Sequence, residues 1–422
     1  MAITDIPAYA HLSRDDVETI GAELDAVRRE IEAVRGEADV RYLKRTIAAQ
    51  RGLDVAGRLM LAGAHKRGLW WAGAATLGLS KIIENMELGH NVLHGQWDWM
   101  NDPEIHSTTW EWDTAGTSRL WKHTHNFTHH KYTNVLDMDD DVGFGVLRVT
   151  RDQPWKPVNA GNLLYNTILT LLFEYGIAIQ HLELGKAARK WNRPWFDRAK
   201  FKADASEVAR KIGRQTFKDY VATPLIGAPL GGKRGWRKAL TAMVTANLIR
   251  NVWTNAVIFC GHFPDGAEKF TMQDVDDETQ GEWYLRQMLG SANLTGGPVI
   301  DFLSGNLSYQ IEHHMFPDLP SNRLREIGVR VRALCEKYDL PYTAGPLHVQ
   351  YAKTWRTIAK LSLPDKYLIA TSDDAPETAS ERMFDDTTPR IDARTGKRFG
   401  LVSARRRKRQ PSATLREASL DH

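Results

Sequence analysis

The stretch His125-Asn-Phe-Thr-His129-His130 carries three imidazoles in six residues, and two further stretches repeat the pattern: His90-Asn-Val-Leu-His94 and Gln310-Ile-Glu-His313-His314. Seven of the fifteen histidines of the chain fall in these three windows. A lone histidine is usually satisfied by hydrogen bonds, but scatter does not build three such boxes. On a helix, residues four apart share a face, so His90 with His94, and His125 with His129, can each present two imidazoles to one metal. The adjacent pairs His129-His130 and His313-His314 are turned by about 100° around a helix and point to different places. That geometry suits two metals better than one.

Imidazole serves iron, copper, nickel and zinc alike, so ligand type leaves the metal open. Zinc sites commonly add cysteine or carboxylate, and no His-Glu-x-x-His helix occurs; the number of histidines favours a dinuclear centre. Glu87-Leu-Gly-His90 is a single Glu-x-x-His, whereas a ferritin-like di-iron site needs two of these with further glutamates. Asp137, Asp139, Asp140 and Asp141 follow the second box. They are read either as acceptors that orient ligating imidazoles or as a solvated acidic turn.

Working outward, 422 residues with 42% hydrophobic content make a sizeable core, in one large domain or two smaller ones. A net charge of +4 excludes a nucleic-acid footprint spread over the chain. Cys260 and Cys335 form no CxxC pair, which fits a reducing compartment and excludes a disulfide framework. Residues 1–10 lack the basic-then-apolar pattern of a cleaved secretory signal. Mean hydropathy is −0.43, yet segments 55–64, 69–83, 163–179 and 239–261 are apolar, with a shorter one at 220–230. Polar residues interrupt them; Glu174, Arg250, Asn251 and Asn255 are tolerable in a membrane only when they face a bundle interior or a functional site. Hydropathy alone leaves membrane spans and the buried helices of a soluble α-protein level.

Ser13 and Asp16 form a capping signal, followed by Val17, Ile20, Leu24, Val27, Ile31 and Val34 at helical spacing, which is read as a packing face. The strongly basic stretch 181–218 marks the cytosolic side if its flanks span a bilayer. Tryptophans such as Trp70, Trp71, Trp97 and Trp121 divide between an interfacial belt and a cap core. Gly143-Phe-Gly145 has no preceding strand and no third glycine, so it is not a dinucleotide loop. Beyond about residue 370 the chain turns polar and ends in Arg405-Arg-Arg-Lys-Arg409. The expected organisation is an N-terminal amphipathic helix region 1–39, a main domain 40–365 and a disordered basic tail 366–422. No fixed-period repeat or long alternating pattern is present, so the chain reads as mainly helical.

Gly89-His-Asn-Val-Leu-His-Gly95, the stretch from Trp121 through His125-Asn-Phe-Thr-His-His-Lys-Tyr-Thr-Asn134, and Leu307-Ser-Tyr-Gln-Ile-Glu-His-His-Met-Phe-Pro317 together resemble the membrane-bound fatty acid desaturases with three histidine boxes, in particular the bacterial acyl-CoA and linoleoyl-CoA-type branch. The resemblance covers about residues 40–350. It implies an all-α integral membrane fold, with about four transmembrane helices under a cytosolic helical cap that holds a di-iron site, and a narrow tunnel for the acyl chain. It makes His90, His94, His125, His129, His130, His313 and His314 iron ligands. Where many relatives begin the third box with histidine, this chain has Gln310. The family supplies one more histidine at the end of the fourth membrane helix; His262, at the end of segment 239–261 and before Pro264, is the candidate, with His181 the other. Gln310, Asp139 and Asp141 are candidates for ligation or for orienting ligands.

The activity so implied is an oxygen-dependent desaturation of a long fatty acyl chain, with acyl-CoA as the expected carrier, two iron ions as cofactor and O2 as co-substrate. No side chain beyond the metal centre need be catalytic. A fatty acyl hydroxylase or related oxygenase of the same superfamily is the alternative, and a non-catalytic zinc-binding membrane protein the rival from another class. The sequence has no His-Pro-Gly-Gly haem motif, no four-cysteine iron–sulfur pattern and no flavin or nicotinamide fingerprint. Electrons are therefore expected from a separate protein of the ferredoxin or flavin reductase type. Membrane lipid is an expected partner and nucleic acid is not. The expected location is a bacterial cytoplasmic membrane, with the site facing the cytosol.

Overall fold

Ser13 caps the first helix as its sequence predicts: its Oγ accepts from the Asp16 N–H at 3.1 Å, and Asp16 accepts from the Ser13 N–H at 2.9 Å. The computed structural model describes residues 3–264 and 267–364, so the basic tail expected over 366–422 lies outside the described residues. The principal helices are α1 (Arg14–Val34), α2 (Glu37–Ala62), α3 (Arg67–Ile83), α4 (Asn162–Leu171), α5 (Phe173–Gln180), α6 (Arg198–Phe217), α7 (Ala228–His262), α8 (Gln280–Gly290), α9 (Gln310–Met315), α10 (Leu324–Lys337) and α11 (Leu347–Lys360). As the missing alternation predicts, strand is minimal: among the described residues one short parallel pair, Asn293–Thr295 with Ala344–Pro346, joins two loops.

The molecule has a bundle end and a cap end. In the bundle, α2 and α3 form a hairpin so close that a Cβ on Gly57 would stand 2.6 Å from Leu77 Cγ. Leu61, Ala64, Ala74 and Leu77 of this hairpin then bury against Ala239, Ala242, Met243 and Ala246 of α7, a small-residue seam that lets the helices approach. α7 stops at His262, two residues before Pro264, as expected of a residue that cannot continue a helix. The cap is built by α1, α8, α9 and α10, whose Ile20, Leu24, Leu285, Met288, Ile311 and Ile327 share one buried cluster. The stripe of α1 is thus a packing face, except that Val34 at its end is exposed.

Among the described residues no single helix is long and apolar enough to cross a membrane. The apolar segment 163–179 is divided at Leu172; the helices on either side are long and apolar enough to cross a membrane only when taken together, and they are bent by 105°. In α2 the apolar positions are interleaved with Arg51, Asp54 and Arg58, which caps the length of any unbroken apolar face. The apolar side chains of these elements nevertheless turn outward: Leu59, Trp71, Leu164, Ile168, Leu172 and Leu230 are all exposed.

Candidate metal centre

Each of the first two histidine boxes sits where the helix widens. α3 runs directly into Glu84–His90, and the short helix Ser118–Trp121 into Lys122–His129, both wound in π-type turns with i→i+5 bonding. Such turns recur at functional sites, where they re-aim side chains. The first is pinned by buried Glu87, which accepts from Tyr42 Oη at 2.8 Å, Ser321 Oγ at 2.6 Å and Asn306 Nδ2 at 3.0 Å. Burial pushes the Glu87 carboxyl up to about 7, against these hydrogen bonds. The third box is pinned likewise: Glu312 accepts from Asn293 Nδ2 at 2.9 Å and Tyr342 Oη at 2.7 Å. Sequence reading missed both clamps. The only signal for them was a carboxylate shortly before a ligand-type histidine, Glu87 before His90 and Glu312 before His313; nothing local marked Tyr42, Asn293 or Tyr342.

Two groups of imidazoles result. His90, His94, His125 and His313 form one and His129, His262 and His314 the other; within each group one nitrogen per ring lies within 4.8 Å of the others. His125, His129 and Asp141 make a third such set that bridges them. His130 belongs to none of these sets, yet its ring stands 4.5 Å from those of both His94 and His314. His313 and His314 point into different groups, as neighbours on a helix should. His125 and His129, four apart and expected to present two imidazoles to one metal, come together in the set they form with Asp141, while each also enters a different all-histidine group. Their rings stack 4.8 Å apart within the π-type turn.

Carboxylates after the second box orient the rings. His129 Nδ1 lies 2.9 Å from Asp139 Oδ2, and His125 Nδ1 3.1 Å from Asp141 Oδ2. Asp139 is itself fixed by the backbone N–H groups of Asn134 and Asp141, and Asp141 by Gln180 Nε2 at 2.6 Å. Asp140 turns away to Lys186, and Asp137 is exposed. With the proton on Nδ1, the Nε2 atoms of His125 and His129 face inward. They have no hydrogen-bond partner there, nor do Nε2 of His94 and His314, Nδ1 of His262 and His313, or either nitrogen of His130. Unpartnered buried ring nitrogens are costly, and so many within one cluster of imidazoles fit a metal. Burial holds His94, His125, His130, His313 and His314 well below the ordinary imidazole range and His90 down to about 3, so each is neutral and able to ligate. Burial lowers His129 too, but Asp139 and Asp141 outweigh it and leave the ring at about 8.

Of the two candidates for an extra histidine, His262 enters the second group, while His181 lies in neither. Gln310 does face the centre: its Nε2 stands 3.1 Å from His262 Nε2. Gly261 makes this possible, since a Cβ there would meet Gln310 Cδ at 2.9 Å.

The family model for fatty acid desaturases matches residues 68–346. The chain belongs to the fatty acid desaturase family. It is 62% identical over 407 residues, 96% of this chain and 94% of the relative, to a protein of Mycobacterium tuberculosis named NADPH-dependent stearoyl-CoA 9-desaturase. More distant relatives are an sn-1 linoleoyl-lipid 6-desaturase of Synechocystis, 22% identical over 65% of this chain and 75% of that one, and fatty acid desaturase 3 of Bos taurus, 28% identical over 58% and 51%.

In this desaturase the imidazoles adjoin a cavity with an internal volume of about 70 Å³. Its apolar wall is Trp112, Trp121, Phe144, Phe173, Ile177 and Ile258, and His90, His125 and His262 stand at one end. Asn255 faces the bundle interior and takes no part in lining the cavity; it accepts from Thr170 and Tyr351 on the neighbouring helices. The stripe of α7 that faces the cavity is Arg250, Asn251, Thr254, Ile258 and His262.

Proposed function

We propose that the chain is an oxygen-dependent acyl-CoA desaturase in which the two histidine groups each hold one iron, with His90, His94, His125 and His313 on one and His129, His262 and His314 on the other. His130 stands between the groups and is assigned to the pair as a whole. The observation that carries this is the convergence of unpartnered, buried imidazole nitrogens at the end of an apolar cavity. Iron rather than zinc is favoured by membership of the desaturase family, and CoA as carrier by the name of the 62% identical relative. Bound iron would supply, with dioxygen and electrons, an oxidant strong enough to take hydrogen from an unactivated methylene.

The chain's own residues do the rest. Phe144, Phe173, Ile177 and Ile258 take the acyl tail out of water, and Trp112 and Trp121 wall the reacting end. Asp139 and Asp141 hold the Nδ1 protons of His129 and His125, which fixes the tautomer and turns Nε2 to the metal. Electrons arrive from a separate ferredoxin or flavin reductase type protein, in keeping with the NADPH-dependence in the relative's name. The outward apolar side chains of α2, α3, α4 and α5 and of the turn before α7 favour embedding in a membrane, with the cap on the cytosolic side. The test is metal and product analysis of the purified chain supplied with acyl-CoA, reductase and O2. Two irons per chain and a product lighter by one pair of hydrogens are expected. Zinc alone would sink the enzyme, and a product heavier by one oxygen would make it a hydroxylase.

A further inference from the structure

We propose that the buried ion pair of Glu174 and Arg250 is a polar end wall of the acyl cavity and sets how long an acyl tail the enzyme accepts; this rests on the acyl-chain reading given above. On α7 the cavity-lining residue furthest from His262 is Arg250, about 18 Å away along the helix at 1.5 Å per residue. On α5 the lining runs from Gln180 near the metal end through Ile177 to Glu174 and Phe173. Arg250 Nη2 and Glu174 Oε1 meet at 2.6 Å with both side chains 1% exposed, closing the cavity at the end opposite the histidines. Between these ends the wall is mixed: Phe144, Ile177 and Ile258 are its apolar members, and Thr254 and Asn251 lie on the α7 side.

The pair is braced from behind. Arg250 donates from Nε to Asn251 Oδ1 at 2.9 Å and from Nη2 to Asn247 Oδ1 at 3.4 Å; Asn247 donates to Asp219, which is also bound by Lys81 Nζ at 2.8 Å. It is therefore not free to swing aside. The second carboxylate oxygen of Glu174, Oε2, and Nη1 of Arg250 lack a hydrogen-bond partner. Buried polar atoms in that state need water, and a hydrocarbon tail pressed against them would strip it away. The tail stops at the last apolar residue, and further methylenes have no place to go. A buried pair can often be replaced by apolar residues without loss of stability, so stability does not account for its position here.

The test is the double variant Glu174→Leu with Arg250→Met, which leaves no single buried charge unpaired. Dissociation constants and kcat/KM are measured on the purified full chain for saturated acyl-CoAs that lengthen by two carbons at a time. The expected result is a shift of preference toward longer chains, about tenfold in relative kcat/KM for each added two-carbon unit, the scale of burying two methylenes. An unchanged order of chain lengths overturns the wall. Should the double variant not fold, Thr254→Met gives the complementary reading: a side chain enlarged just ahead of the wall should move the preference to shorter chains, and no movement means that the tail never reaches it. A wild-type chain that neither binds nor turns over acyl-CoA overturns the functional reading itself, and the wall with it. Wild-type turnover with an unmoved profile in the variants overturns the wall alone.

Discussion

The two histidine groups are held by different kinds of support. In the first group the neighbours are largely rings: Trp121 stacks on His125 at 4.5 Å and meets His90 and His94 at 5.4 and 5.2 Å, and only His125 leans on a carboxylate. In the second group every member has a side-chain hydrogen-bond partner: Asp139 for His129, Thr133 for His314 and Gln310 for His262. Packing constrains where a ring sits, whereas a hydrogen bond also decides which nitrogen faces inward. The first group should therefore be sensitive to volume and the second to polarity, although both depend equally on their imidazoles.

The largest effect is expected from removing one ligand from each group. His94→Ala and His314→Ala should each abolish turnover while losing only one of the two irons, read by metal analysis beside activity. Loss of both irons in either variant would merge the groups into one site. Next comes His262→Ala beside His181→Ala: the former should lose turnover and one iron, the latter should keep both irons. If only His181→Ala loses metal, the second group has been assigned the wrong member. The contrast between rings and hydrogen bonds is sharpened by a milder pair. Asp139→Asn should weaken metal binding about 10–100-fold, the usual cost of losing an orienting partner, and Trp121→Phe, which removes packing volume beside the first group, should weaken it by only a few-fold. Equal losses would erase the distinction. The smallest effect belongs to Gln310→His, which should retain iron and turnover because that side chain already faces the centre beside Gly261.

Much of this was legible along the chain. The capping pair at Ser13 and Asp16, the apolar stripe of α1 and the stop before Pro264 are local features, settled within a turn of the residues that show them. The three boxes stood out because ligand-type residues were crowded into short windows, and the role of Asp139 and Asp141 was open to guess because they follow the second box closely. Local spacing failed where the helix itself departs from α-geometry. His125 and His129, within the π-type turn Lys122–His129, enter different all-histidine groups, and the break at Leu172 turns one apolar segment into two helices.

The sequence by itself thus determined where the ligand-type residues crowd, which family the chain belongs to and that the fold is helical, because each of these rests on neighbours a few residues apart. Only the tertiary structure decided how the imidazoles are shared. His90 meets His313, and His129 meets His262 and His314, across separations that no local pattern encodes. The same holds for Glu87 with Ser321, Glu312 with Tyr342 and Glu174 with Arg250. Each of these buried polar groups is satisfied only by a partner that packing of distant helices brings within reach, and desolvation makes finding one obligatory.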